Sequence, residues 1–220
     1  MMSSDRDPLV KPGEITALKQ QVRNSARTSV FIDGEFAFGV HADLAVREGL
    51  FVGQQLRESD LQTLLCSEKI LRGRSTALRY LSYAPRTEHQ VRQRLTFKGL
   101  TKDELNDIIA DLYELDYIDD RRYAVEYAEA RFKNKGYGPG RIRRELTEDG
   151  VSSDYVSEAV AAAASTDMYS MSARKIAEKF RDRVEGTLPE RKKKLADYLV
   201  RRGYGYTLSK EIALEVLSQR

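Results

Sequence analysis

One pattern recurs three times, in order, along this chain. Val91, Leu95 and Gly99 are spaced by four and four, as are Ile142, Leu146 and Gly150, and again Leu195, Leu199 and Gly203. The glycines stand 150 − 99 = 51 and 203 − 150 = 53 residues apart. Two apolar residues one turn apart, then glycine, describe a short amphipathic helix that stops at a residue able to take the left-handed C′ conformation. Polar residues and another apolar-periodic run follow each glycine, over residues 105–112, 155–163 and 208–217. A further helix precedes each triplet, over 77–83, 123–132 and 173–180, the last extending towards Val184. The unit is helix, helix, glycine, helix. A period of about 50 residues marks an array of supersecondary units whose apolar faces cover one another. The fold class is therefore mainly α: tandem three-helix repeats in an elongated array.

The first quarter of the chain reads differently. Residues 1–13 are polar and carry Pro8 and Pro12, which predicts a disordered tail. Two β-rich runs, 30–32 and 36–40, flank Asp33-Gly34, a strong signal for a hairpin turn with positive φ at both central positions. An earlier strand over 15–22 is placed to pair with them, and 42–49 reads as a short helix stopped by Gly49. The predicted organisation is a tail over 1–13, a small β-hairpin-containing cap over 14–58, a linker helix and first repeat over 59–118, a second repeat over 119–164 and a third over 165–220. Ser59 with Gln62, Thr87 with Gln90, and Thr101 with Glu104 have capping-box spacing. Asp119 or Asp120 suits the N-cap of a helix beginning where the previous one ends, near Tyr117.

Several classes of chemistry lack their residues. The two histidines, His41 and His89, stand in no nucleophile–base motif, so no catalytic residue is assigned. Cys66 is the lone cysteine, which excludes an internal disulfide, fits a reducing cytoplasm, and reads as a buried thiol on an apolar helix face. The stretch 134–141, NKGYGPGR, joins two helices rather than following a strand and reads as an inter-helix loop, not a phosphate cradle. The carboxylates Asp103, Glu104, Asp107, Asp111, Glu114, Asp116, Asp119 and Asp120 lack EF-hand spacing and read as a solvated or docking face. No metal or cofactor is expected. No apolar run approaches the roughly 20 residues of a membrane span, and the N-terminus lacks the apolar centre of a secretory signal.

The basic residues carry more. The net charge is only +3, yet charged residues make up 32% of the chain. Between Arg131 and Arg144 there are six Lys or Arg and no acid. Arg122, Arg131, Lys133, Lys135, Arg141, Arg143 and Arg144, with Lys192, Lys193 and Lys194 in the third repeat, are the candidate contacts to a polyanion or an acidic surface. Tyr137, Tyr204 and Tyr206 are interleaved with them, as suits phosphate contact beside stacking.

LYELDYIDDRRYAVEYAEAR, residues 112–131, followed by G-x-x-R-I-x-x-E-L over 138–146, resembles the RecX family, bacterial regulators of the RecA recombinase. YLSYAPRTEHQVRQRL, residues 80–95, is similar to that family's first repeat, and the hairpin segment 30–40 to an N-terminal extension found in some members. The likeness is looser in the third repeat. Ala84 stands where the family often has arginine, and Asp149 where a lysine often precedes the glycine. The resemblance implies a non-enzymatic modulator, typically an inhibitor, lying in the groove of the RecA–single-stranded DNA filament; a monomer is expected. Two other readings compete. One is a stand-alone helical module that binds DNA alone by a helix-turn-helix mode. The other is a metal-dependent hydrolase using Asp116, Asp119 and Asp120.

Overall fold

A computed structural model describes residues 10–22 and 24–218. Most of the predicted tail, residues 1–9, lies outside the described residues; Val10 packs against the core of the cap, and Gly13 already belongs to a strand. The chain divides into two units. One reaches to Arg79 and includes Leu95–Ile108; the other comprises Tyr80–Arg94 and Ile109 onward.

In the first unit, β1 (Gly13–Gln21), β2 (Asn24–Ile32), β3 (Glu35–His41) and the two-residue β4 (Gln55–Leu56) form an antiparallel sheet of order β3-β2-β1-β4. The β2–β3 turn is the predicted one: Asp33 and Gly34 have φ of 50° and 88°. Asp33 Oδ1 accepts from Glu14 N at 3.0 Å, which ties the turn to β1. The first half of β2, Asn-Ser-Ala-Arg-Thr-Ser, was not legible as strand. Its residues are exposed or half-buried, so they leave no hydrophobic alternation. Ile15, Val30, Ile32, Phe38 and Val40 pack with Leu44 of α1 (Ala42–Arg47) and with Leu61 and Leu64 of α2 (Glu58–Leu81).

α2 is one continuous helix, so the separate helix expected over 77–83 is its last turn. Nothing interrupts it, because the residues between Leu64 and Ala77 include no proline and their one glycine, Gly73, is packed rather than strained. A Cβ there would come within 2.7 Å of Leu100 and Ile108. The cap of α2 also differs from the prediction. Arg57 N donates to Asp60 Oδ2 at 3.0 Å, two residues out of register from Ser59 and Gln62. Cys66 is exposed rather than buried, because it faces away from the stripe of Leu61, Leu64, Glu68 and Ala77. Glu68 is 5% exposed; its carboxylate pairs with Arg27 Nη1 at 2.7 Å and accepts from His41 N at 2.7 Å. A single buried carboxylate thus joins β2, the β3–α1 junction and α2.

The three repeats follow the predicted register. The middle helices are α3 (Glu88–Thr96), α6 (Pro139–Glu148) and α9 (Leu188–Arg201). Their apolar pairs Val91/Leu95, Ile142/Leu146 and Leu195/Leu199 are all fully buried, and Gly99, Gly150 and Gly203 all have positive φ. The third helices are α4 (Lys102–Glu114), α7 (Ser153–Ala163) and α10 (Tyr206–Ser218). They align at the same offsets, so that Leu105, Val156 and Ser209 occupy one position. The first helices are the end of α2, α5 (Asp120–Lys135) and α8 (Thr166–Arg181), and each buries a small pair one turn apart: Gly73/Ala77, Ala124/Ala128 and Ala173/Ala177. These small residues let the neighbouring helices approach closely.

Capping sets the joints. Thr101 and Glu104 form the predicted box, Thr101 N donating to Glu104 at 2.7 Å. Asp119, rather than Asp120, caps α5, accepting from Arg122 N at 2.8 Å. α4 ends at Glu114, three residues short of the predicted Tyr117, because Asp116 takes a left-handed φ of 60° with no glycine to announce it. At Thr87 only half of the box exists. Its Oγ1 accepts from Gln90 N at 3.2 Å, while the Gln90 amide turns to Asp149 instead.

That last contact belongs to a repeated seam within the second unit. Thr87 Oγ1 donates to Asp149 O at 2.6 Å, and a Cβ on Gly150 would overlap the His89 side chain. One repeat later, Gly138 N donates to Arg202 O at 2.8 Å and Gly140 N to Gly203 O at 2.9 Å, while a Cβ on Gly203 would overlap the Arg141 backbone. The amino end of each middle helix therefore meets the carboxyl end of the next one.

Candidate functional site

The predicted contacts separate into two groups. Arg131 and Arg141 project from α5 and α6 towards the same carboxylate, Glu145, at 3.6 and 2.9 Å. Tyr127 donates its hydroxyl to Glu145 at 2.9 Å. The Arg131 guanidinium lies 4.5 Å from the Tyr127 ring centroid and that of Arg141 lies 3.7 Å from the Tyr137 ring. Glu145, the first acid after the basic run, pairs with both arginines. The tyrosine hydrogen bond leads the influences that raise the Arg131 pKa, and burial leads those that raise that of Tyr127. This is an internal cluster.

Arg122, Lys133, Lys135, Arg143 and Arg144 are exposed. Lys133 pairs with Glu129 and Arg144 loosely with Glu148, each one turn away along its own helix. Such surface pairs contribute about 0.3–0.5 kcal/mol and leave the cations open to a partner. On α9, Lys192 is half-buried while Lys193 and Lys194 are exposed, Lys194 reaching Glu185 O at 2.9 Å.

Two sequence expectations about this region are corrected. The stretch 134–141 is not an eight-residue loop: only Gly136, Tyr137 and Gly138 lie between α5 and α6. Its glycines serve the seam, and the amides of Gly138 and Gly140 are already donating to carbonyls. Tyr204 is 3% exposed rather than a surface ring; its hydroxyl bonds Gly136 O and Ser172 Oγ, both at 3.1 Å. Tyr206, 60% exposed, does stand beside a cation, Lys210. The acidic candidates are likewise in use: Asp119 caps α5, and Asp120 Oδ1 accepts from Glu88 N at 2.8 Å. Among the described residues, no group of three or more His, Cys, Asp or Glu is arranged to hold a metal ion. No described helix is long and apolar enough to cross a membrane.

A groove of about 380 Å³ lies beside Arg122, assembled from segments that no local sequence pattern joins. The α2–α3 loop supplies Tyr83 and Arg86, the α4–α5 joint Tyr117, and α5 Arg122, Tyr123 and Glu126. Tyr83 is 79% and Tyr117 52% exposed. The available signal was two tyrosines in turn segments, SYAPR and LDYIDD, where nothing requires a core ring.

Four family models match along this architecture, in order. Residues 13–57 match the regulatory protein RecX N-terminal domain, 74–112 the first RecX three-helix domain, 119–160 the second and 170–212 the third. A regulatory protein RecX of Clostridium botulinum (strain Eklund 17B) is 30% identical over 208 residues, covering 93% of this chain and 97% of that one. The chain belongs to the RecX family. That is a family of regulatory proteins rather than of enzymes, and its three-helix domains coincide with the helical repeats described above. A RecX of Listeria innocua is 28% identical over 207 residues, covering 94% of this chain and 77% of that one. A crystal structure of regulatory protein RecX shares the fold, with a TM-score of 0.70 at 24% identity over 90% of this chain and 98% of its own. RecX from Lactobacillus salivarius matches at a TM-score of 0.61 and 26% identity, over 69% of this chain and 99% of its own.

Proposed function

We propose that this chain is a non-enzymatic modulator, an inhibitor, of the RecA recombinase, and that it binds in the groove of the RecA–single-stranded DNA filament. Membership of the RecX family carries the regulatory part. The filament part rests on one observation: Arg143 and Arg144 lie on an exposed face of α6, beside Arg131 and Arg141, which Glu145 already occupies. Arg122, Lys133, Lys135 and Lys192, Lys193 and Lys194 extend the cationic set along successive repeats. A regular polymer of subunits and phosphates offers such a set several weak contacts at once, which add through effective concentration.

The test is capture of this chain by its host's recombinase, with and without single-stranded DNA and ATP. Capture that needs both supports filament binding. Replacing Arg143 and Arg144 together with Glu reverses two exposed charges while leaving the Glu145 cluster intact. The expected result is at least tenfold weaker inhibition of strand exchange by a protein of unchanged stability. Full inhibition by that variant would remove the assignment. Arg141 is left out of the substitution, because a glutamate there would face Glu145.

A further inference from the structure

We propose that the groove between the α2–α3 loop and the α4–α5 joint binds one unstacked nucleobase of a single strand, together with its phosphate. The inference rests on the single-stranded DNA partner proposed above and assigns it a specific subsite. Two large rings, Tyr83 and Tyr117, stand mostly in solvent at the groove, and neither contributes to a core cluster. An aromatic ring left exposed in a concavity is a stacking platform for a flat ligand.

The remaining lining is mixed: Leu81, Ala84 and Pro85 form an apolar part of the wall, and the rest is polar or charged. Ser82, Asp119, Arg122 and Glu126 surround the rings. A leucine or phenylalanine anchor from a partner protein would meet charges there. A nucleobase is apolar on its faces and carries donors and acceptors on its edge, which is the arrangement these walls match. Arg122 is exposed at the start of α5, where its guanidinium is available to a phosphate. Arg86 lies 4.6 Å over the Tyr80 ring, and its Nε is buried without an acceptor among the described residues. The volume, about 380 Å³, suits a single nucleotide rather than a folded segment.

The experiment is binding of a short fluorescein-labelled single strand to the full chain, read by anisotropy over a salt series. Tyr83→Ala with Tyr117→Ala should weaken binding about a hundredfold, at about tenfold per ring. The salt dependence should stay unchanged, since no phosphate contact is removed. Tyr83→Phe with Tyr117→Phe keeps both faces and should bind within about threefold of the parent. Arg122→Gln should flatten the slope of log affinity against log salt by about one. An abasic strand should bind the parent no better than an ordinary strand binds the double-alanine variant.

Parent-like binding by the alanine pair, or equal binding of the abasic and base-bearing strands, overturns the nucleobase site. If the alanine pair keeps strand binding but is no longer captured by recombinase, the groove is a protein contact: the nucleobase site falls and the regulator reading stands. If the strand results hold but the parent is not captured by recombinase, the regulator reading fails and the nucleobase site stands.

Discussion

Gly203 O accepts from the amide of Gly140 at 2.9 Å, so the end of α9 is joined to the start of α6 from main chain to main chain. Gly203 also has φ of 95° and no room for a Cβ against Arg141. Gly203→Ala should therefore cost about 2–4 kcal/mol, combining left-handed strain with overlap against backbone. Gly99→Ala is the control. It has the same kind of φ, 78°, but open space around the Cβ, and should cost only about 1 kcal/mol. Urea unfolding of the two variants separates the terms; equal losses would mean that the seam contributes nothing.

Glu68 should be the least replaceable polar residue of the first unit. Glu68→Ala removes the acceptor of the His41 amide and the carboxylate paired with Arg27 Nη1, leaving Arg27 only its bond to Gly39 O. Breaking a buried pair costs about 3–5 kcal/mol, and the lower end applies because Arg27 is 23% exposed on its side chain. Thermal unfolding read at the sheet, by near-ultraviolet or hydrogen-exchange signals of β2 and β3, checks it. A loss under about 1 kcal/mol would show that the pair is incidental.

Ser209 predicts a gain. It is fully buried where Leu105 and Val156 sit in the earlier repeats, and its hydroxyl has no partner among the described residues. Ser209→Ala removes that hydroxyl, adds no volume and improves helix propensity, and should stabilise the protein by about 1 kcal/mol. At this chain length that raises the melting temperature by about 2–4 °C. An unchanged or lowered value would mean that the hydroxyl is satisfied.

Asp120 predicts a pH dependence. Burial, then the charges of Glu88 and Asp119, hold its carboxyl above the ordinary 3.8. The folded state thus keeps its proton longer than the unfolded chain does, so ionisation costs stability as the pH rises above about 4. Asp120→Asn retains an acceptor for Glu88 N and has no charge to develop. The variant should gain on the parent between acid and neutral pH, the difference closing again near pH 3.5. A difference independent of pH would refute the linkage.

The helical register was legible because its signals are local: two apolar residues, one turn, one glycine. The small pairs Ala124/Ala128 and Ala173/Ala177 were equally local and would have strengthened the same reading. What escaped depends on partners far along the chain. Nothing near Tyr204 announces that its hydroxyl bonds Gly136, 68 residues away, or that Arg202 bonds Lys135 O. In sequence the basic run 131–144 is uniform; the fold divides it, because Glu145 sits one turn beyond Arg141 and lies opposite Arg131. Asp116 ended α4 early because a residue other than glycine took the left-handed position.

The joint between α6 and α9, made of amides, carbonyls and missing side chains, makes few demands on the rest of the alphabet. Substitution can run freely over the outer faces of α5 to α10 while the hinge between neighbouring modules keeps its angle. Homologues sharing barely a quarter of their residues can then hold the same course.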